Sequence, residues 1–271
     1  MTASPRTVAI AGFGAIGREV ARRLDAGIPG FTLVAIAARD SAKAERNAAT
    51  LRHRPRIESL AALPDLAQVI VECVPAAAFV DAVGPGLDAG RIVLTVSGAA
   101  LLDHPEMAER ARKSGGRLIL ATGALLGLDA VRAAAIGSIT SVRLVTRKPP
   151  RSLAGAPYLE QQGISLDGLT QPLRVFAGSA RDGARAFPAN VNVAAALALA
   201  GIGPDLTQLE VWADPALTRN THRIEVEADS ARFSMAIENV PSEDNPGTGK
   251  ITALSLIAAL KDLDAPLRIG T

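Results

Sequence analysis

The run Thr7-Val8-Ala9-Ile10-Ala11-Gly12-Phe13-Gly14-Ala15-Ile16-Gly17-Arg18-Glu19-Val20 decides the fold of this chain. Its first five residues form a short apolar run that stops at a glycine, the signature of a buried strand. From Ala15 to Ala26, the residues Ile16, Val20 and Leu24 recur at four-residue spacing, one stripe of a helix. Between the two lies Gly12-x-Gly14-x-x-Gly17. Alone that spacing is a weak signal. Set between a strand and a helix, it reads as the turn that cradles a dinucleotide, the alternative being a glycine-rich βα turn that holds no ligand. Gly12 allows the tight turn, Gly14 lets a pyrophosphate approach the backbone, and Gly17 lets helix and strand pack closely. The first helical residues, Ala15 and Ile16, offer free N–H groups and the positive end of the helix dipole.

Working outward, strands and helices alternate. Phe31–Ala38 reads as a second strand, Ser41–Leu51 as a helix capped by Ser41, and Gln68–Val74 as a third strand stopped by Pro75. Phe79–Ala89 and Pro105–Lys113 read as helices, and Ile92–Val96 and Arg117–Ala121 as strands. Continuous apolar strands alternating with helices imply a parallel sheet covered on both faces. Right-handed crossovers make it an α/β, Rossmann-type doubly wound fold. After about Gly123 the pattern changes. Ser141–Arg147, Gln208–Trp212, Arg223–Glu227 and Arg232–Glu238 alternate apolar and polar residues, and the last two look like a hairpin. They predict a second α+β domain with a mixed or antiparallel sheet. Val191–Ala200 is an Ala-rich helix, Pro149–Gly168 a loop, and Ile251–Leu263 a closing helix. The expected division is a dinucleotide-binding domain over 1–123 and a second domain over 124–245. The stretch 246–271 is expected to return to the first.

The end of the second strand bears on which dinucleotide is favoured. An acidic residue there would bind the ribose diol of NAD. The strand ends Ala37-Ala38-Arg39-Asp40, with Arg39 near the place of the acid. An arginine can pair with a 2′-phosphate. The expectation is that NADP serves at least as well as NAD, unless both residues are simply exposed loop positions.

Composition removes other classes. The chain has 271 residues, 48% hydrophobic and 21% charged, with a formal net charge of +2. That is globular composition. Aromatic residues make up 3%, too few for a base-stacking platform, and +2 is too small for a phosphate-backbone binder. Nucleic acid is therefore not an expected partner. Cys73 is the one cysteine, which rules out an intrachain disulfide and a cysteine-based zinc site; with only three histidines, no metal is expected. The longest apolar run, Val193 to Ile202, falls far short of a membrane span. The N-terminus leaves no room for a signal peptide before the first strand. The reading is of a soluble, cytoplasmic protein.

Five further segments are more specific: Gly123–Ala130, Thr146-Arg147-Lys148-Pro149-Pro150, Phe187–Ala194, Asn220-Thr221-His222, and Glu238-Asn239 through Asn245-Pro246. With the glycine motif, and in the same order over nearly the whole chain, they resemble the L-aspartate dehydrogenase family. That resemblance implies NAD(P)-dependent oxidative deamination of L-aspartate to iminosuccinate, which hydrolyses to oxaloacetate and ammonia, or the reverse. It also implies a place in NAD biosynthesis for some members and a homodimer joined through the second domain. The family's active-site histidine falls on His222, and its cofactor contacts fall on Ala124 and Asn190. One departure stands out. The family commonly carries a basic residue after the Asn-Pro pair, where this chain has Gly247. Lys250 is the neighbouring candidate to replace it. The segment also falls short of a phosphate-binding P-loop, since Ile251 stands where Ser or Thr is required.

The residues can be weighed on their chemistry as well. Conversion through an imine needs a group that takes a proton from water and returns one to the departing amine, and histidine suits it. His222 stands at the start of a strand, although a lone histidine also reads as a hydrogen-bonded surface residue. His53 sits in a basic loop and His104 at a helix start. Asn190 and Asn192 read as helix caps or as partners of the nicotinamide carboxamide and the substrate. Lys148, Asn220 and Thr221 are further substrate candidates. Arg147, Arg219, Arg223 and Lys250 are cations that a dicarboxylate could use. Ser97-Gly98-Ala99 lies at the strand edge where such folds bind ligands, whereas Glu72 and Cys73 carry no assigned chemistry. Two alternatives stay open: a dehydrogenase for another amino acid, imine or semialdehyde, and a non-catalytic dinucleotide sensor.

Overall fold

The computed structural model describes residues 4–187, 191–243 and 248–270. The chain divides into two compact units, Met1–Ala121 with Thr252–Arg268, and Thr122–Ile251 with Ile269–Thr271.

The first unit contains, in order, β1 (Arg6–Ala11), α1 (Ala15–Gly27), β2 (Phe31–Ala37), α2 (Ser41–Ala48), β3 (Arg56–Glu58), α3 (Leu63–Leu66), β4 (Val69–Glu72), α4 (Phe79–Asp88), β5 (Ile92–Thr95), α5 (Gly98–Asp103), α6 (Glu106–Ser114) and β6 (Arg117–Leu120). The strands form one six-stranded sheet in the order β3-β2-β1-β4-β5-β6, all parallel. This is the strand order of the doubly wound dinucleotide-binding fold. Alternation along β1 explains the two apolar layers. Val8 and Ile10 belong to one buried cluster with Val20, Ala21 and Leu24 of α1, while Ala9 and Ala11 join Phe79, Val83 and Leu87 of α4 on the other face.

The closing helix, α11 (Lys250–Asp262), adds Ala253, Leu256, Ile257 and Leu260 to the same layer as α1. Leu256 and Leu260 are fully buried. Each such side chain is worth roughly 1.5–3 kcal/mol of transfer free energy.

The second unit contains α7 (Leu128–Ala134), β7 (Ile139–Lys148), α8 (Pro157–Gln161), β8 (Leu173–Ser179), α9 (Ala180–Ala186), α10 (Asn192–Ala200), β9 (Gln208–Ala213), β10 (Thr221–Ala228) and β11 (Arg232–Glu238). Its five-stranded sheet runs β11-β10-β7-β9-β8. The β7–β9 pair is parallel and the rest are antiparallel, so the sheet is mixed. Val142, Leu144, Thr146 and Lys148 point to the buried face, and the residues between them are more exposed.

Several local expectations need correction. Helix α2 is capped by Asp40, not Ser41: the Asp40 side chain accepts the Lys43 N–H at 2.9 Å. Val191 caps α10, which makes Asn192 its first helical residue rather than its cap. The stretch Pro149–Gly168 is not simply a loop, because it carries α8. Tyr158 of α8 packs on Phe176 and Phe187 with ring centroids 5.6 and 5.3 Å apart. Thus three of the chain's few aromatic rings anchor this segment by edge and tilted contacts. No helix among the described residues is long and apolar enough to cross a membrane, and none of their acidic, His and Cys side chains cluster to hold a metal ion.

Candidate active site

In the first unit the glycine turn has the shape its sequence requires. Gly12 has a φ of +99°, and a Cβ there would lie 2.5 Å from the Cys73 carbonyl oxygen. A Cβ on Gly17 would lie 2.0 Å from the Gly12 carbonyl oxygen. Neither position admits a side chain. At Gly14 the reason differs: nothing lies within 4 Å of where its Cβ would be, so the space over the turn is open. Gly14 is the N-cap of α1 and has no side chain to cap with; Ala15 and Ile16 open the helix. A helix N-terminus with open space over Gly14 fits a dinucleotide pyrophosphate. Beyond β2, Arg39 stands exposed, while Asp40 is occupied in capping α2.

Sequence reasoning missed the polar cluster beneath this edge. Glu72, the last residue of β4, is fully buried. One carboxyl oxygen accepts the Val74 N–H at 2.8 Å and the Ser97 hydroxyl at 3.0 Å, and the other accepts the Thr95 hydroxyl. Burial pushes its pKa above the usual carboxylate range, against the pull of the three donors. Burial and the neighbouring Glu72 push the Cys73 thiol well up, which makes it an inert side chain rather than a nucleophile. Glu72 pairs with Ala11 on β1 and Thr95 on β5. It therefore ties together the strand ends on which the glycine turn rests.

In the second unit, β7 and β10 run antiparallel with Thr146 opposite His222 and Arg147 opposite Thr221. Residues directly opposite one another share a sheet face, and neighbours along a strand do not. Hence Thr146, Lys148, Asn220 and His222 gather on the inner face. Thr221 lies on the opposite face with Arg147 and is separated from His222 by the pleat. His222 and Lys148 are each 3% exposed, which decides their chemistry. Burial, and then the charge of Lys148, lower the His222 pKa to about 3, so the imidazole is neutral. Burial lowers the Lys148 pKa to about 8. His222 Nδ1 and Thr146 Oγ1 share a hydrogen bond of 3.1 Å.

Asn239 follows β11 and extends the β10–β11 ladder by one step, its N–H donating to the Asn220 carbonyl at 2.9 Å. Its side-chain Nδ2 donates to the Ala124 carbonyl at 3.1 Å. Ala124 is thus held through its backbone, the only polar group it has. The Oδ1 atoms of Asn220 and Asn239 are buried and accept no hydrogen bond from the described residues.

The other cations are engaged elsewhere or exposed. Arg147 pairs with Asp214 at 3.1 Å and lies over the Trp212 ring; Arg223 pairs with Glu225 at 2.9 Å. Lys250 pairs with Glu243 at 2.8 Å, and Arg219 is exposed. Asn192 is exposed at the start of α10. Asn190, Asn245, Pro246 and Gly247 lie outside the described residues.

Comparison with known proteins bears on both units. Residues 12–121 match a family model described as homoserine dehydrogenase, NAD binding domain. Residues 129–263 match one described as aspartate dehydrogenase, C-terminal. The chain is 52% identical to an L-aspartate dehydrogenase of Bradyrhizobium diazoefficiens, over 97% of this chain and 94% of the relative. It is also 52% identical to L-aspartate dehydrogenase 3 of Bordetella bronchiseptica, over 97% of both. The crystal structure of aspartate dehydrogenase from Thermotoga maritima superposes with a TM-score of 0.77 at 23% identity, covering 98% of this chain and 99% of that one, so the fold is the same. Taken with the glycine turn and the buried histidine face, these similarities place the chain in the L-aspartate dehydrogenase family.

Proposed function

We propose that this protein catalyses the NAD(P)-dependent interconversion of L-aspartate with iminosuccinate, and so with oxaloacetate and ammonia. The observation that carries the reading is the burial of a neutral His222 and of Lys148 on one sheet face, in a chain 52% identical to L-aspartate dehydrogenases. The nicotinamide, when bound, supplies hydride transfer at the substrate α-carbon. Everything else falls to the chain. Gly12, Gly14, Ala15, Ile16 and Gly17 receive the pyrophosphate, and Ala124 and Asn190 contact the cofactor, as the family resemblance supports. Lys148 in its protonated form supplies the cation that a substrate carboxylate needs, in surroundings where burial strengthens the attraction.

His222 is the proton carrier. A neutral imidazole that donates its Nδ1–H to Thr146 keeps the Nε2 lone pair free. That nitrogen takes a proton from water attacking the imine carbon and returns it to the departing nitrogen, the substrate carboxylates offsetting the burial and the Lys148 charge that lower its pKa. Asn220, whose buried carboxamide faces the same side, belongs to the substrate end of this reading, as does Asn192. For the dinucleotide, the exposed Arg39 and the commitment of Asp40 to capping support NADP use at least equal to NAD. The family resemblance further supports a homodimer joined through the second unit, which light scattering would measure. The test of the activity is oxidation of NADPH and NADH with oxaloacetate plus ammonium, set against other oxo acids.

A further inference from the structure

The strongest unexplained feature of the inner face is a pair of oxygens. Asn220 Oδ1 and Asn239 Oδ1 are both buried, and neither finds a hydrogen-bond donor among the described residues. Buried carboxamide oxygens are ordinarily satisfied, and each one left alone weakens the fold. The two are not scattered. Asn220 and Asn239 face each other across the first step beyond the β10–β11 ladder, joined by the 2.9 Å backbone bond, and His222 lies two residues along on the same face. The orientation of the Asn239 amide is fixed, because its Nδ2 is spent on the Ala124 carbonyl. Gly249 packs close beside it. A Cβ on Gly249 would come within 3.0 Å of Asn239 Oδ1, and the φ of Gly249 is not one that requires glycine.

Carbonyl oxygens select donors. If the reaction is that proposed above, on which this inference rests, its substrates are two carboxylates, a carbonyl and a nitrogen. Carboxylate and carbonyl oxygens only accept. The nitrogen alone carries N–H groups. Lys148 already places positive charge on this face, which disfavours a second cation and favours a neutral amine or ammonia. We propose that Asn220 Oδ1 and Asn239 Oδ1 are the subsite for the substrate nitrogen, accepting N–H from ammonia in one direction and from the α-amine in the other. Lys148 then belongs to the carboxylate end and the asparagine pair to the nitrogen end, with His222 beside both.

Steady-state reductive amination separates these ends. Asn220→Leu removes one acceptor, and Gly249→Ala sets a methyl against the other without replacing an asparagine. Each variant should raise the KM for ammonium about tenfold or more, the loss of one good hydrogen bond. The KM for oxaloacetate and the dissociation constant for NADPH, read by fluorescence, should stay within about twofold. Asn220→Asp keeps an acceptor and should keep the ammonium KM close to wild type. Asn220→Leu should melt no lower than wild type, since it removes an unsatisfied oxygen; if it does not fold, Gly249→Ala decides. An unmoved ammonium KM in a wild-type-like background, or an oxaloacetate KM that rises in step with it, overturns the subsite alone. A wild-type protein with no ammonium-dependent turnover overturns the parent activity, and the subsite with it.

Discussion

His222 Nδ1 and Thr146 Oγ1 meet at 3.1 Å across neighbouring strands, both side chains buried. The bond holds the ring plane, and in the proposed reaction Nε2 is the working nitrogen. Replacing Thr146 by Val keeps the shape and removes the partner. We expect kcat to fall about tenfold, with dinucleotide affinity unchanged, and Thr146→Ser to recover most of the loss. A loss that Ser does not recover would mean that Thr146 serves packing alone.

Replacing His222 by Ala should lower turnover by about 10²–10⁴-fold, the range of a lost proton-transfer group. Dinucleotide binding, measured by calorimetry, should remain near wild type, because the glycine turn lies in the other unit of the chain. Wild-type turnover in this variant would remove His222 from the chemistry.

The lowered pKa values fix the signs of two pH effects. Lys148 loses its proton as pH rises through about 8, so inhibition by an unreactive dicarboxylate such as succinate should weaken above that pH. In Lys148→Arg the limb should disappear, since guanidinium stays charged. His222 titrates at about 3 in the folded chain, against an ordinary value of 6.5. Between those values the unfolded chain holds a proton that the folded chain does not, so stability rises with pH there. The contribution is complete above pH 6.5 and is lost progressively toward about 3, a slope that urea melts should show and that His222→Gln should lack.

Glu72 predicts a structural effect. Glu72→Ala leaves the Thr95 and Ser97 hydroxyls and the Val74 N–H without their acceptor. The loss should exceed about 2 kcal/mol in denaturant melts and should weaken dinucleotide binding through the strand ends. Unchanged stability would show that water replaces the carboxyl at no cost.

Arg39 predicts a change of dinucleotide preference. Arg39→Ala should raise the KM for NADP about tenfold while moving that for NAD by less than about twofold. Equal changes for both would assign Arg39 to the surface alone.

How much of this was legible in the sequence depends on how local each signal is. The glycine turn was legible because a strand, a turn and a helix within a dozen residues carry all of its requirements. The hairpin β10–β11 was legible because strict alternation survives on both strands. β8 was not. Its register shifts between Arg174 and Phe176, so Val175 and Phe176 are buried side by side and the two-residue period is broken. Asp40 and Ser41 are both capping residues, and sequence alone does not say which side chain reaches Lys43. Glu72 was passed over because its partners, Thr95 and Ser97, lie 23 and 25 residues away and meet it only once the sheet forms. The asparagine pair was half visible. Asn220 lies two residues before His222 in sequence, but its opposition to Asn239 follows from strand register.

The most direct test of the central claim is the initial rate of NADPH oxidation with oxaloacetate, measured with and without ammonium. Oxidation should depend on ammonium, produce L-aspartate and be nearly abolished in His222→Ala. NADPH oxidation indifferent to ammonium, or absent with oxaloacetate and present with another oxo acid, would contradict it.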